Sequence, residues 1–105
     1  MLTISFADDA IDAVVSGAKS ETLRVGEDFP AGCVVRFVRQ TGADIGFLRI
    51  LEKSQVLFRD LGESDVRTHN FKSLDELKAR LLSIYPQLKP ESVLLRYRFE
   101  YAESA

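Results

Sequence analysis

The sequence predicts an α+β fold that is mainly β, a small β-barrel of five to six mostly antiparallel strands with two helices. Most apolar segments are short and alternate with the two-residue period of strands, and turn residues separate them at close intervals. Two stretches instead show the longer period of an amphipathic helix. Strands that follow one another through short connections pair antiparallel, and a curled sheet that closes on itself leaves no open edge. We therefore expect a closed sheet with two helices packed against it.

The chain begins with a predicted strand and a predicted helix. Residues 2–6 form a short apolar strand, and residues 8–16 carry Ile11, Val14 and Val15 on one helical face. Two aspartates in the first turn complement the unsatisfied backbone N–H groups there. The glycine that follows the helix supplies the left-handed residue that ends it.

The next predicted strand, residues 20–25, has one packing face and one polar face. Leu23 and Val25 point to one side, as the alternation of a strand requires. The other side carries polar groups, namely Ser20, Thr22 and Arg24. A loop with two glycines and a proline follows and is expected to border a pocket.

The middle of the chain is predicted to be a run of strands. Residues 34–40 and 45–52 are joined through a hairpin turn at Thr41-Gly42, and residues 54–59 extend the second strand or add another. Gly46 is expected to mark a bend. The pattern becomes polar over residues 61–65, which predicts a loop or a short helical turn.

The last third holds the second predicted helix and the last strand. Ser73 and Glu76 form a capping box, in which each side chain is expected to bond the backbone of the other. The buried stripe of this helix, which ends before a proline, consists of Leu74, Leu77, Leu81 and Ile84. The strand over residues 93–101 alternates between an apolar face and a polar face. The apolar face carries Val93, Leu95, Tyr97, Phe99 and Tyr101. We expect these side chains in the core and not as a stacking platform for bases. The opposite, polar face carries Arg96 and Arg98, and the alternation places Leu94 on that face as well.

Composition limits the classes of protein. At 105 residues with 46% hydrophobic content, the chain predicts a single domain, residues 1–105, with one core. A net charge of −2 argues against strong non-specific binding to nucleic acid but permits a local basic pocket. The lone Cys33 excludes an intrachain disulfide and is expected to be buried. No secretion signal or membrane-spanning run is recognisable, so we expect a cytoplasmic protein without membrane contact, assumed to be monomeric.

The residues with chemical potential are concentrated between Gly17 and Arg24. The pKa of Lys19 would fall if its ammonium were desolvated or placed near Arg24, and the neutral amine could then act as a base. In its charged form, Lys19 could instead hold a phosphate. Thr22 is a possible nucleophile beside it, and Arg24 suits a carboxylate, a phosphate or the edge of a base. The alternative is that both cations are solvated charges that protect a strand edge from aggregation.

The pattern Gly-x-Lys-x-x-Thr-x-Arg over residues 17–24 resembles the signature of ASCH domains, small RNA-linked modules whose fold is related to the PUA domain. The resemblance extends through residues 73–78, Tyr85-Pro86 and the final strand. It implies a PUA-like barrel and an RNA-related ligand, and it favours a pocket over a solvated edge.

Within that superfamily, the chain is partly similar to small bacterial acetylcytidine amidohydrolases, which use a lysine, a threonine and a glutamate. The resemblance implies Thr22 as nucleophile and Lys19 as its base. The position of the glutamate falls on His69 or Asn70, and neither is a carboxylate. His69 is an acid–base candidate and Asn70 a ligand-orienting one, while Glu63 and Asp65 are rival carboxylates from the same segment.

Two functions from different classes follow. The first is a binding module in which Lys19, Ser20, Thr22 and Arg24 hold RNA, a nucleotide or a modified nucleoside without a covalent step. Asn70 would add a hydrogen bond to that ligand. The second is an enzyme, either an amidohydrolase of acetylcytidine-like nucleosides or a ribonuclease, with Lys19, Thr22 and His69 as the catalytic candidates. No ligand spacing for a metal is recognisable, and no cofactor is expected.

Overall fold

A computed structural model describes all of residues 1–105 as an α+β structure in which three helices accompany one five-stranded mixed sheet. The strands are β1 (Thr3–Phe6), β2 (Glu21–Arg24), β3 (Val34–Arg39), β4 (Asp44–Leu57) and β5 (Val93–Ala102). The helices are α1 (Asp8–Ser16), α2 (Glu63–Thr68) and α3 (Leu74–Ile84). The strand order across the sheet is β1-β3-β4-β5-β2, with β1 parallel to β3 and all other pairs antiparallel.

The sheet is not closed into a barrel, so that part of the predicted architecture is not confirmed. The strands β1 and β2 are its two edges, and no backbone ladder joins them. Arg24 of β2 crosses the gap instead, and its Nη2 donates a hydrogen bond to the carbonyl oxygen of Ser5 in β1 at 2.9 Å. A guanidinium inserted between two edges holds them farther apart than the 4.7–4.9 Å spacing that a ladder requires. The gap between the edges therefore stays open to side chains.

The number of helices also differs from the prediction of two. The segment 61–65, predicted to be a loop or a short helical turn, contributes the first turn of the additional helix α2, which continues to Thr68. Its first turn is capped by the Asp65 carboxylate, which accepts a hydrogen bond from the Gly62 N–H at 3.0 Å. Six residues are too few to show a helical period in the sequence. None of the helices combines the length and the apolarity needed to cross a membrane.

Of the two alternatives for residues 54–59, extension of the preceding strand is the one observed. The segments 45–52 and 54–59 are largely joined in the 14-residue strand β4, which pairs with β5 along its length. The pairing register shifts between Ile50 and Glu52. A bulge of this kind adds a residue to one strand and reverses the alternation of its side chains, so one strand resembles two in the sequence.

The core lies on both faces of the sheet. The larger cluster packs α1 against one face and includes Ile4, Phe6, Ile11, Val14, Val35, Phe37, Leu48, Ile50, Tyr97 and Phe99. The smaller cluster packs α3 against the other face and consists of Leu23, Leu61, Leu77, Leu81 and Leu94. Leu94 is fully buried although it was predicted on the polar face of its strand, because α3 covers that face. The aromatic side chains Tyr97 and Phe99 are core residues, as predicted.

Three predicted core positions are wrong, and several others are only half-buried. Val15, Val93 and Ile84 have exposed side chains, because each lies at the border of its apolar stripe or at the end of its element. Cys33 packs against the larger cluster but is only half-buried.

Candidate functional site

Three side chains of the segment 17–24 converge on one cavity. Lys19, Thr22 and Arg24 line a cavity of about 330 Å³, which we call the first cavity, between the edge strands and α3. Its apolar wall includes Phe6, Leu23, Phe71, Leu77, Leu81 and Tyr85. The two cations are therefore not dispersed over an open strand edge.

Local backbone bonds place Lys19 at the inner end of this cavity. Gly17 ends α1 with a φ of 87°, which a glycine adopts without strain. The Lys19 N–H then donates to the Ala13 carbonyl at 3.0 Å, and the Ser20 N–H donates to the Thr68 carbonyl at 2.8 Å. These bonds hold the chain at the start of β2 and leave the Lys19 side chain directed into the protein.

Lys19 is a buried amine with an altered charge state. Only 9% of the residue is exposed, and its Nζ contacts the His69 carbonyl oxygen at 3.5 Å and lies 5.7 Å from the centre of the Phe71 ring. Burial, followed by the positive charge of Arg24, lowers the pKa of Lys19 from 10.5 to about 7. At neutral pH, about half of the molecules therefore carry an uncharged amine at this position.

Arg24 is fixed by four contacts. Its Nε donates to Thr22 Oγ1 at 3.0 Å, and its Nη1 pairs with Glu27 Oε2 at 3.2 Å. The bond of Nη2 to Ser5 completes the set, and the guanidinium carbon lies 4.7 Å from the centre of the Phe6 ring. Two of the five guanidinium N–H groups remain without a protein acceptor and are free to meet a ligand.

Thr22 presents a hydroxyl whose oxygen already accepts one hydrogen bond. The residue is 4% exposed, and its Oγ1 accepts the bond from Arg24 Nε. Because a hydroxyl also carries one donor hydrogen, Thr22 keeps that hydrogen for a ligand or a base. A cationic donor on the oxygen also stabilises negative charge that develops there.

The other three candidate residues are distributed differently. His69 lines the first cavity, whereas Asn70 does not; Asn70 lines a neighbouring cavity of about 250 Å³, which we call the second cavity. Ser20 lines a third cavity, of about 200 Å³, which also touches Lys19, Gly17 and Phe99. The predicted pocket of four side chains is thus a group of three, with Ser20 outside it.

His69 is buried and neutral. Its Nδ1 lies 2.7 Å from the Asp65 carbonyl oxygen, which only accepts, so Nδ1 carries the proton and donates it. Burial, followed by the charge of Lys19, lowers the pKa of His69 to about 4. Near neutral pH the ring is therefore in its uncharged form.

Neither rival carboxylate faces the amine. Glu63 is exposed at the start of α2 and lines none of the three cavities. Asp65 is buried, but its Oδ1 accepts bonds from Arg96 Nε at 2.9 Å and from Arg96 Nη2 at 2.7 Å. The carboxylate that does line the first cavity is Glu27.

No family model matches the sequence, and neither does any curated protein. Solved structures do match. An ASCH domain from Lactobacillus crispatus aligns with a TM-score of 0.79 at 16% identity, over 94% of this chain and 79% of that one. The chain has the ASCH-domain fold.

Two further structures support the same fold. An ASCH protein of Zymomonas mobilis aligns with a TM-score of 0.71 at 18% identity, over 97% of this chain and 67% of that one. A protein of Enterococcus faecalis described by the DUF984 family model aligns with a TM-score of 0.71 at 20% identity, over 88% of this chain. This chain spans 66% of the length of the Enterococcus protein. The resemblance inferred from residues 17–24 is confirmed at the level of the fold.

Beneath the cavity of this ASCH fold lies a buried polar cluster. Glu21, Asp65 and His69 each bring one potential metal-ligand atom within 4.8 Å of the others. The guanidinium of Arg96 already lies among them, bonded to Asp65 and 3.5 Å from Glu21 Oε2. Burial raises the pKa of Glu21, which favours its neutral form. Arg96 thus already pairs with both carboxylates of this cluster.

Several residues of the site escaped the sequence analysis. Glu27, Phe71 and Arg80 line the first cavity, and Glu76 lines the second cavity. Two signals in the sequence point to them. Arg80 follows Glu76 by one helical turn beside the buried stripe of α3, and Glu27 follows Arg24 by three residues with the opposite charge.

Proposed function

We propose that the protein binds a nucleoside in the first cavity, either free or as an unstacked base of single-stranded RNA. The observation that carries the proposal is the convergence of the Lys19 amine, the Thr22 hydroxyl and the Arg24 guanidinium opposite an apolar wall. A nucleobase has apolar faces and an edge of hydrogen-bonding groups, and RNA-binding proteins hold unstacked bases by matching both. The ASCH fold supports the proposal, because the resemblance of residues 17–24 to ASCH domains implies an RNA-related ligand.

The shape and polarity of the cavity suit a heterocycle. Its volume of about 330 Å³ lies in the range of small-molecule sites. Phe71 and Tyr85 supply flat apolar surface, and Glu27 adds an acceptor at the mouth to the donors of Lys19 and Arg24. A base could therefore be held by its faces and read along its edge.

The electrostatics favour a neutral group over a polyphosphate. Arg24 is paired with Glu27, and Arg80 is paired with both carboxylate oxygens of Asp9 at 2.9 and 3.0 Å. Lys19 is only partly charged near pH 7. Little positive charge is left unpaired for phosphates, in keeping with a net charge of −2.

A second candidate function is hydrolysis of an acyl group from a modified nucleoside. It is favoured by the partly neutral Lys19 amine, since a base near its pKa at the working pH is effective in proton transfer. In this alternative, Lys19 takes the proton of Thr22, Oγ1 attacks the acyl carbon, and the proton passes to the nucleoside amine as the acyl–nitrogen bond breaks. A water molecule that gives its proton to Lys19 then attacks the acyl-Thr22 ester, and the proton returns to Oγ1 as the carboxylic acid departs. Glu27, and not Glu63 or Asp65, is the carboxylate available in this cavity.

The test is an NMR titration of the ¹⁵N-labelled protein with cytidine, acetylcytidine and short single-stranded RNA, with chromatography of the same mixtures. We expect saturable amide shifts around Lys19, Thr22 and Arg24, and their loss in Lys19→Ala. The matched control is Lys89→Ala, because Lys89 is exposed and lines none of the three cavities.

Product formation that requires Lys19 and Thr22 would establish the hydrolase. Shifts without product would support a binding module. If no nucleoside and no RNA perturbs this region, the proposed function is wrong.

A further inference from the structure

The second cavity adjoins the first and has a different character. It lies between α1 and α3 and shares Lys19, His69, Phe71 and Arg80 with the first cavity. Its remaining lining is mostly polar and consists of Asp9, Ala10, Ala13, Asn70 and Glu76. A ligand held in the apolar first cavity thus has a polar compartment directly beside it.

Two polar side chains that line the second cavity, Glu76 and Asn70, have no hydrogen-bond partner in the protein. The Glu76 carboxylate makes no hydrogen bond and no ion pair, because the cap of α3 uses only the Glu76 backbone N–H, which donates to Ser73 Oγ at 3.1 Å. The side-chain amide of Asn70 is also without a protein partner, and its backbone has a φ of 61°, which asparagine tolerates better than most residues. Both side chains are exposed toward the cavity they line.

Lys19 supplies an independent indication of a ligand. The residue is more than nine-tenths buried, yet its Nζ has a single protein acceptor, at the long distance of 3.5 Å. An ammonium has three donors, so two of them have no partner in the protein. Burying a donor without a partner is costly, and a ligand that spans the two cavities would remove that cost.

We infer that the second cavity holds the ribose of the nucleoside whose base lies in the first cavity, with the ribose hydroxyls donating to Glu76 and Asn70 and accepting from Lys19. This inference rests on the proposed function. Two adjacent hydroxyls are donors as well as acceptors, and they match a site with one carboxylate, one amide and one amine. The protein would thereby distinguish ribonucleosides from deoxyribonucleosides through the 2′-hydroxyl.

A phosphate fits this compartment less well than a sugar. Asp9 and Glu76 bring two carboxylates to it, and the Arg80 guanidinium is already bonded to Asp9. Repulsion by carboxylates disfavours a phosphate dianion, whereas a hydroxyl donates to the same groups.

The experiment measures the affinities of the four common ribonucleosides and of their 2′-deoxy counterparts for the full chain by calorimetry. We expect the bound ribonucleoside to bind about tenfold more tightly than its deoxy form, the usual effect of one hydrogen bond to a charged group. Glu76→Ala should remove this difference and leave the affinity for the deoxy form unchanged. Asp75→Ala is the matched control, because it removes a carboxylate from the same helical turn but Asp75 lines none of the cavities.

The possible failures are distinguishable. Equal binding of ribo and deoxy forms by the wild-type protein would overturn the ribose site and leave base binding intact. A ribose preference that survives Glu76→Ala would overturn the assignment to the second cavity. Absence of binding by every nucleoside would remove the proposed function, and the ribose site with it.

Discussion

At the scale of single residues, the decisive feature is the burial of an amine that an ordinary protein would leave in water. The sequence analysis named two possible causes of a lowered Lys19 pKa, namely desolvation and the nearby charge of Arg24. In the structure these are the two largest causes of that lowering. That His69 lines both cavities while Asn70 lines only the second was beyond the sequence, because it depends on how α2 ends. Neighbouring residues at a helix end point in different directions, and no periodicity records which one faces inward.

A lowered pKa of a buried base has a predictable effect on stability. Below pH 7, Lys19 is charged in both the folded and the unfolded protein, and folding carries the full cost of desolvating the ammonium. Between pH 7 and 10.5 the unfolded state binds more protons, so stability rises with pH and the cost disappears. We therefore expect Lys19→Met to increase the free energy of unfolding by on the order of 2 kcal/mol at pH 6, with the increase shrinking toward pH 10.

Urea denaturation at several pH values measures this difference. Lys72→Met serves as the control, because Lys72 is exposed and should show no comparable pH-dependent gain. If the difference in the free energy of unfolding between Lys19→Met and the wild type stays constant with pH, the Lys19 ammonium is not desolvated.

At the scale of elements, the well-predicted parts are those whose local chemistry decides their structure. The helix over residues 8–16 was found with its exact bounds, because two acidic residues begin it and a glycine ends it. The strand β4 and the helix α2 were less predictable for opposite reasons. A bulge opposite β5 reversed the alternation of β4, and α2 is stabilised by the long-range bond between Asp65 and Arg96.

The cap of α3 gives a prediction at this scale. Ser73 Oγ accepts the Glu76 N–H, while the Glu76 side chain makes no reciprocal bond. Ser73→Ala should therefore lower the free energy of unfolding by about 1 kcal/mol, the usual cost of losing an N-cap. Glu76→Ala should cost no more than Asp75→Ala, since each removes one first-turn carboxylate and neither removes a cap bond.

Chemical denaturation of the three variants tests this ranking. A Glu76→Ala variant as unstable as Ser73→Ala would show that the full capping box forms in solution. Such a bond would also occupy the carboxylate that the ribose site requires.

At the scale of the whole molecule, the candidate site depends on the gap between the edge strands β1 and β2, because the first cavity lies beside that gap. The sequence predicted the strands and the family of folds but not the open sheet, because edge pairing depends on distances between segments far apart in the chain. Closing β1 onto β2 would satisfy the backbone of both edges and would fill the gap beside which the first cavity lies. Arg24 satisfies one edge carbonyl and keeps the gap, so the residue expected to meet a ligand also supports the architecture around it.

This double role predicts an unusually large effect for a partly exposed arginine. Arg24→Met keeps an unbranched apolar side chain but removes the guanidinium over Phe6 and its bonds to Ser5, Thr22 and Glu27. We expect a loss of about 2 kcal/mol in the free energy of unfolding, since hydrogen bonds from a charged donor contribute more than neutral ones. Amide hydrogen exchange should also accelerate in β1 and β2 more than in the central strand β4, because the two edges lose their connection.

Arg98→Met is the matched comparison. Arg98 lies on the adjacent strand β5 and pairs with Glu52 at 2.7 Å, but both side chains are exposed. Its loss should therefore change the free energy of unfolding much less than the loss of Arg24 and leave exchange in β1 unaltered. If Arg24→Met were as mild as Arg98→Met, the edges would be held by packing alone. Arg24 would then be free to serve a ligand without any structural duty.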